Sequence, residues 1–106
     1  MTESNPIQNN PAELPDALAI KKSAIILRAV NHKLRQQILK LLLEKNSLTV
    51  TEIFTGLFLE QAVASQHLAV LRRAGFVKTK REGKLVRYSI NPQRLLQVQQ
   101  VIEVLL

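Results

Sequence analysis

The stretch SQHLAVLRRAGFVKTKREGKLVRYSI, Ser65–Ile90, changes character at its middle. Its first half continues an apolar pattern at helical spacing, with Ala64, Leu68 and Leu71 on one side. Gly75 then stands where a glycine ends a helix by taking up a positive φ. After Gly75 the period becomes two: FVKTKR and KLVRYSI alternate, separated by Glu82-Gly83, whose glycine supplies the tight turn of a β-hairpin. Charge gathers in the same stretch, where Arg72, Arg73, Lys78, Lys80, Arg81, Lys84 and Arg87 face a single acid, Glu82. A short helix running straight into a basic hairpin decides the fold.

Upstream, LTVTEIFTGLF opens on Thr49 with Glu52 three residues later, the spacing of a capping box, and offers Ile53, Phe54 and Leu57 for burial before ending near Gly56. The helix from about Gln61 follows across a tight turn, which makes a helix-turn-helix. HKLRQQILKLLLEKN is an earlier helix with Leu34, Ile38, Leu41 and Leu42 inward, closed by Asn46 and Ser47. Before it, Ala17, Ile20, Ala24 and Leu27 recur at spacings of three and four along a first helix that ends near Val30. Downstream, Asn91 caps and Pro92 starts a last helix whose seam is Leu95, Val98, Ile102 and Leu105, with Leu96, Val101 and Val104 toward the core. The fold class expected is mainly α (α+β): a winged helix-turn-helix in the order of four helices, a hairpin and a fifth helix. Residues 1–13 are polar, contain Pro6 and Pro11 and read as a disordered tail, leaving 14–106 as the single folded domain.

At 106 residues the chain can form one core, and with 46% apolar but only 4% aromatic residues that core is aliphatic. A chain of this size gains from a partner surface, so a homodimer is an option, and the terminal helices carry apolar seams, Ala17, Ile20, Ala24 and Leu27 with Leu95, Val98, Ile102 and Leu105, that would suit one. The absence of cysteine removes disulfides, thiolate metal ligands and thiol redox sensing. The polar start MTESNPIQNNPAELPD lacks signal-peptide regions, and no apolar run is long enough to span a bilayer, so a cytoplasmic protein with no membrane partner is expected.

Catalysis finds no support: two histidines and eight scattered acids supply no nucleophile and base at useful spacing, no glycine-rich phosphate loop and no metal-hydrolase motif. No cofactor is expected. His32 reads as a cap or solvent-facing residue and His67 as a hydrogen-bonded, half-buried one; neither has a second ligand at helical spacing, so no metal site is expected. The net charge of +7 and its concentration beside a helix suit a polyanion. On double-stranded DNA, a helix lies in the major groove with its early residues at base edges while neighbouring donors hold phosphates. Gln61, Ala62, Val63, Ser65 and Gln66 are the outward early positions: the glutamines can pair with adenine, Ser65 can serve base or phosphate, and the two apolar methyls can meet thymine. Lys78, Lys80, Arg81, Lys84 and Arg87 would flank the wing and hold phosphates, with Arg72 and Arg73 second to them. A module that holds an acidic protein, and a non-specific nucleic-acid binder, are the alternatives.

With these residues assembled, the chain resembles the arsenical-resistance repressor (ArsR/SmtB-like) family of winged-helix regulators from about Ala17 to Leu106, most specifically in SQHLAVLRRAGFV, REGKLVRYSI and NHKLRQQILKLL. The resemblance implies a homodimer joined through its first and last helices that represses transcription from an imperfect inverted repeat. It places the DNA-reading segment at Gln61, Ala62, Val63, Ser65 and Gln66 and the wing at Arg81 to Arg87. This chain departs from the pattern at Glu60, where a Ser or Asp often caps, and at Ala62 and Val63 in place of small polar residues. It also lacks the cysteines of the third-helix metal site and keeps only Glu103 of the last-helix one, so the resemblance leaves the effector unknown.

Overall fold

The computed structural model describes residues 17–105, so the tail expected over 1–13 lies outside them. The elements are α1 (Ala17–Val30), α2 (Lys33–Lys45), β1 (Ser47–Thr49), α3 (Val50–Gly56), α4 (Gln61–Arg73), β2 (Val77–Glu82), β3 (Leu85–Ile90) and α5 (Pro92–Leu105). Side chains set the helix ends. His32 Nδ1 accepts the Leu34 amide at 3.1 Å and starts α2. Asn46 closes that helix at φ 73 and ψ −56, its amide donating to the Leu42 carbonyl at 2.8 Å. Thr49 and Glu52 form the capping box read from the sequence: the Thr49 hydroxyl accepts the Glu52 amide at 3.2 Å, and the Glu52 carboxylate accepts the Thr49 amide at 2.8 Å. In the α3–α4 turn, Phe58 adopts φ 56 and is 95% exposed.

The hairpin is part of a three-stranded antiparallel sheet in the order β1-β3-β2, with one strand the sequence pattern did not reveal. Three residues carry no readable period; β1 exists because the chain entering α3 pairs Ser47 with Ser89, Leu48 with Tyr88 and Thr49 with Arg87. The turn also differs by one residue from expectation. Glu82 pairs with Leu85, so the two-residue loop is Gly83-Lys84 with Gly83 first at φ +62, the arrangement a type II′-like turn needs.

Ile38, Leu39 and Leu42 from α2, Ile53 from α3, Leu68 and Leu71 from α4, Phe76 and Val77, and Val98 from α5 close the core. Phe76, fully buried, fills its centre, and burying a side chain of this kind contributes roughly 1.5–3 kcal/mol. The expected division of α5 is reversed at its start. Val98 belongs to the protomer's own core and Leu95 packs half-buried against it, while Leu96 is exposed. The cause lies one turn earlier: the Asn91 side chain donates to the Gly75 carbonyl at 2.9 Å and its amide to the Phe76 carbonyl at 2.8 Å, fixing the rotation of α5 so that 95 and 98 face inward. Leu27 likewise packs against the core, whereas Ala17, Ile20 and Ala24 are exposed together with Leu18 and Ile25. The side chains of Ile102 and Leu105, expected at the dimer seam, and of Val101 and Val104, expected in the core, lie outside what the structure describes.

Candidate nucleic-acid interface

Helix α4 is held from behind and open in front. Ala64, Leu68 and Leu71 are buried, while Gln61, Ala62, Ser65 and Gln66 are exposed and Val63 is half-buried. Four of the five early positions therefore share an outward face, and Val63 turns partly toward the protein. The helix starts at Glu60, whose side chain makes no capping hydrogen bond. At its other end Gly75 takes φ +83 and leads directly into the sheet.

The hairpin does not present its cations on one face. Strand register places Lys78, Lys80, Glu82, Leu85 and Arg87 on one side and Val77, Thr79, Arg81, Val86 and Tyr88 on the other. Arg81 shares the side of Tyr88, and Tyr88 lines a cleft of about 390 Å³ with Ser65, Ala69, Arg72 and Arg73 of α4. Lys78 instead borders Leu42, Leu43 and Asn46 at the end of α2. Lys80, Arg81 and Lys84 are exposed, with Lys84 in the turn itself.

Arg87 is occupied. Its Nε donates to Glu82 at 3.0 Å and its Nη1 lies 3.7 Å from Glu52, so one guanidinium ties the wing to the first turn of α3. Glu52 is held below the ordinary carboxylate range, first by the hydrogen bond from the Thr49 amide, then by the Thr49 hydroxyl and the Arg87 charge. The sequence carried a signal for this contact: a turn beginning at Gly83 sets 82 and 87 diagonally on one face. Its third member, Glu52, was hidden because β1 was hidden.

The two histidines meet, with ring centroids 4.6 Å apart. Arg35 donates to the Ala29 carbonyl, and its Nη1 lies 3.4 Å from His67 Nδ1, which joins α1, α2 and α4. Burial, followed by the His32 and Arg35 charges, lowers the His67 pKa from its ordinary 6.5. Among the described residues no three acids, histidines or cysteines gather where a metal could be held.

A helix-turn-helix whose second helix is exposed along its early face, followed at once by a basic hairpin, defines a winged helix-turn-helix of the DNA-binding class. The family described as bacterial regulatory protein, arsR family, matches residues 32–79. Transcriptional activator HlyU of Vibrio cholerae is 43% identical over 70 residues, 66% of this chain and 64% of that protein, so the match spans just under two thirds of its length. The structure of HlyU superposes with a TM-score of 0.66 at 38% identity, covering 85% of this chain and 94% of that one. The transcriptional repressor PagR of Bacillus anthracis superposes with a TM-score of 0.67 at 31% identity over 86% of this chain and 100% of that one. A homodimeric winged helix-turn-helix DNA-binding domain from Mycobacterium bovis gives 0.72 at 28% identity, covering 83% and 82%. The chain belongs to the arsR family of bacterial transcriptional regulators, and it is a DNA-binding regulator, not an enzyme.

Proposed function

We propose that residues 14–106 act as a homodimeric repressor that reads an inverted repeat in double-stranded DNA, in the cytoplasm. The observation that carries this reading is the exposed face of Gln61, Ala62, Ser65 and Gln66, standing between an uncapped helix start and a cleft lined by Arg72 and Arg73. Gln61 and Gln66 pair with base edges, Ala62 and the outer methyl of Val63 meet thymine methyls, and Ser65 serves the backbone. Arg72, Arg73 and Arg81 hold the phosphates that run between helix and wing, and Lys84 reaches beyond the turn. Lys78 and Lys80 add to the field that draws in the duplex, and Arg87 aims the wing. Two copies join through α1, whose Leu18, Ile20 and Ile25 are 61%, 56% and 56% exposed, and through the outer side of α5. Exposure of this kind on one helix is typical of a surface that a partner covers. The homodimeric Mycobacterium bovis relative supports this assembly and the repressor PagR this sign of regulation, whereas HlyU, at 43% identity, is an activator.

The test is selection of duplexes from a random pool at near-physiological salt, followed by sequencing. Enrichment of an inverted repeat is expected. Recovery of unrelated duplexes at equal affinity would replace this reading with non-specific binding, and no recovery at all would favour an acidic protein partner.

A further inference from the structure

We propose that His32 and His67 form a proton-operated latch that releases the DNA-reading helix on mild acidification, so that falling pH weakens the hold on the duplex. The two rings lie with centroids 4.6 Å apart where α4 meets the start of α2. Each uses its basic nitrogen to hold the fold. His32 Nδ1 accepts the Leu34 amide at 3.1 Å, and that bond starts α2. His67 Nδ1 lies 3.4 Å from Nη1 of Arg35, and because a guanidinium only donates, the imidazole nitrogen is the acceptor. Arg35 is pinned in place: its Nε donates to the Ala29 carbonyl and its Nη2 to the Arg28 carbonyl at 3.2 Å, both at the end of α1. Both neutral rings therefore carry their proton on Nε2 and spend the Nδ1 lone pair on a contact between elements.

A proton on Nδ1 turns that acceptor into a donor. At His32 it meets the Leu34 N–H and undoes the cap of α2; at His67 it meets the Arg35 N–H. The neighbouring charges add to the effect. His32 and Arg35 are the charges that act on His67, and Arg28 of α1 and Arg73 of α4 line the cleft beside Arg35, so the groups around the pair are cations. Burial, then His32 and Arg35, hold His67 below its ordinary 6.5, so the neutral ring belongs to the seated helix and the charged ring to a displaced one. Protons and duplex then compete, because the duplex needs α4 seated and the proton favours its release. The direction is diagnostic: positive charge added to a DNA-binding protein ordinarily strengthens its hold on phosphate, so weakening on acidification has to come from the fold. The latch stands by itself; its effect on DNA rests on the function proposed above.

Affinity for the enriched duplex is read by fluorescence anisotropy at constant ionic strength from about pH 7.5 to about pH 5, the range in which imidazoles charge. The wild type is compared with His32→Asn/His67→Gln, in which asparagine still caps a helix and glutamine still offers Arg35 an oxygen, but neither titrates. The wild type should weaken about fivefold or more, the equivalent of a typical lost helix cap, and the double variant should keep its neutral-pH affinity throughout. His32→Asn alone should remove part of the fall, which keeps the test valid if His67→Gln fails to fold. Wild-type affinity that holds or rises on acidification, or an equal fall in the variants, would overturn the latch. Without DNA, NMR of the full chain should show the Leu34 amide losing protection from solvent exchange as the His32 ring titrates, after correction for the direct effect of pH; unchanged protection would overturn the latch as well. No duplex binding at neutral pH, with the Leu34 response intact, removes the DNA reading alone. Duplex binding without the Leu34 response removes the latch alone.

Discussion

Two pairs of substitutions in the wing separate a cation that holds the structure from cations that meet phosphate. Arg81→Ala with Lys84→Ala removes two exposed charges near the tip, whereas Arg87→Gln with Glu82→Gln dissolves an ion pair and leaves the wing's net charge unchanged. Each phosphate neutralised contributes about 0.9 to the fall of log K with log salt concentration. Loss of both tip contacts therefore lowers the slope by about 1.8 per wing, or about 3.6 for a dimer that seats two wings. The glutamine pair removes no phosphate contact, because the Arg87 guanidinium lies 3.0 Å from Glu82 and 3.7 Å from Glu52. Its affinity should drop by a similar factor at every salt, since the wing is no longer tied to α3, and its slope should stay that of the wild type. Fluorescence anisotropy of the enriched duplex, between about 50 and 200 mM salt, reads both quantities. A slope lowered by the glutamine pair as much as by the tip pair would show that Arg87 leaves its carboxylates for phosphate, and the division of labour would be wrong.

Phe58→Gly should stabilise the fold: the ring is 95% exposed and leaves no packing behind, and relief of left-handed strain, about 1–3 kcal/mol, outweighs the roughly 0.5–1 kcal/mol entropic penalty of glycine. A lower urea midpoint in this variant would mean that the ring makes contacts of its own. Ile20→Asp should yield a folded monomer that loses the enriched duplex, because this 56% exposed side chain contributes to the assembly and little to the protomer core; sedimentation showing an intact dimer would refute it. The His67 pKa is lowered from 6.5, so the unfolded chain binds its proton first on acidification: stability is complete above pH 6.5 and falls as pH drops toward the folded value. His67→Gln should flatten urea-midpoint profiles in that acidic window and leave the neutral range unchanged in slope.

The helices, their caps and the hairpin were legible in the sequence because each depends on neighbours. Thr49 and Glu52 are three apart and satisfy each other's amides, and Gly75 ends α4 at φ +83, a conformation glycine adopts without a Cβ to strain. What stayed hidden was set by tertiary pairing. Strand β1 has no pattern of its own and follows from β3, and its discovery brings Glu52 to Arg87. The faces of α5 could not be assigned from spacing, since Leu95, Leu96 and Val98 are all apolar; the rotation is set by Asn91 reaching back to Gly75. The five early positions of α4 were legible as a group, but only the burial of Val63 relative to Ala62 ranks them.

The same distinction changes what the chain's charge means. Seven bases between Arg72 and Arg87 suggest seven phosphate contacts, yet the fold assigns them different tasks. Arg87 pairs with both Glu52 and Glu82 and offsets one of the two negative charges that would otherwise repel the duplex from the wing. Lys78 sits by Asn46 at the end of α2, where a cation complements the exposed carbonyls, and strand register sets Lys80 on the side away from Tyr88 and the α4 cleft. Arg72, Arg73, Arg81 and Lys84 remain as the phosphate set. Four contacts per protomer correspond to a salt slope of about 3.6, or about 7 for a dimer, against about 12.6 if all seven engaged in each protomer. A slope near the larger figure would mean that DNA reorganises the wing and breaks the Arg87 ion pairs. The smaller figure leaves Arg87 where the fold has it, raising affinity by keeping acids away from phosphate.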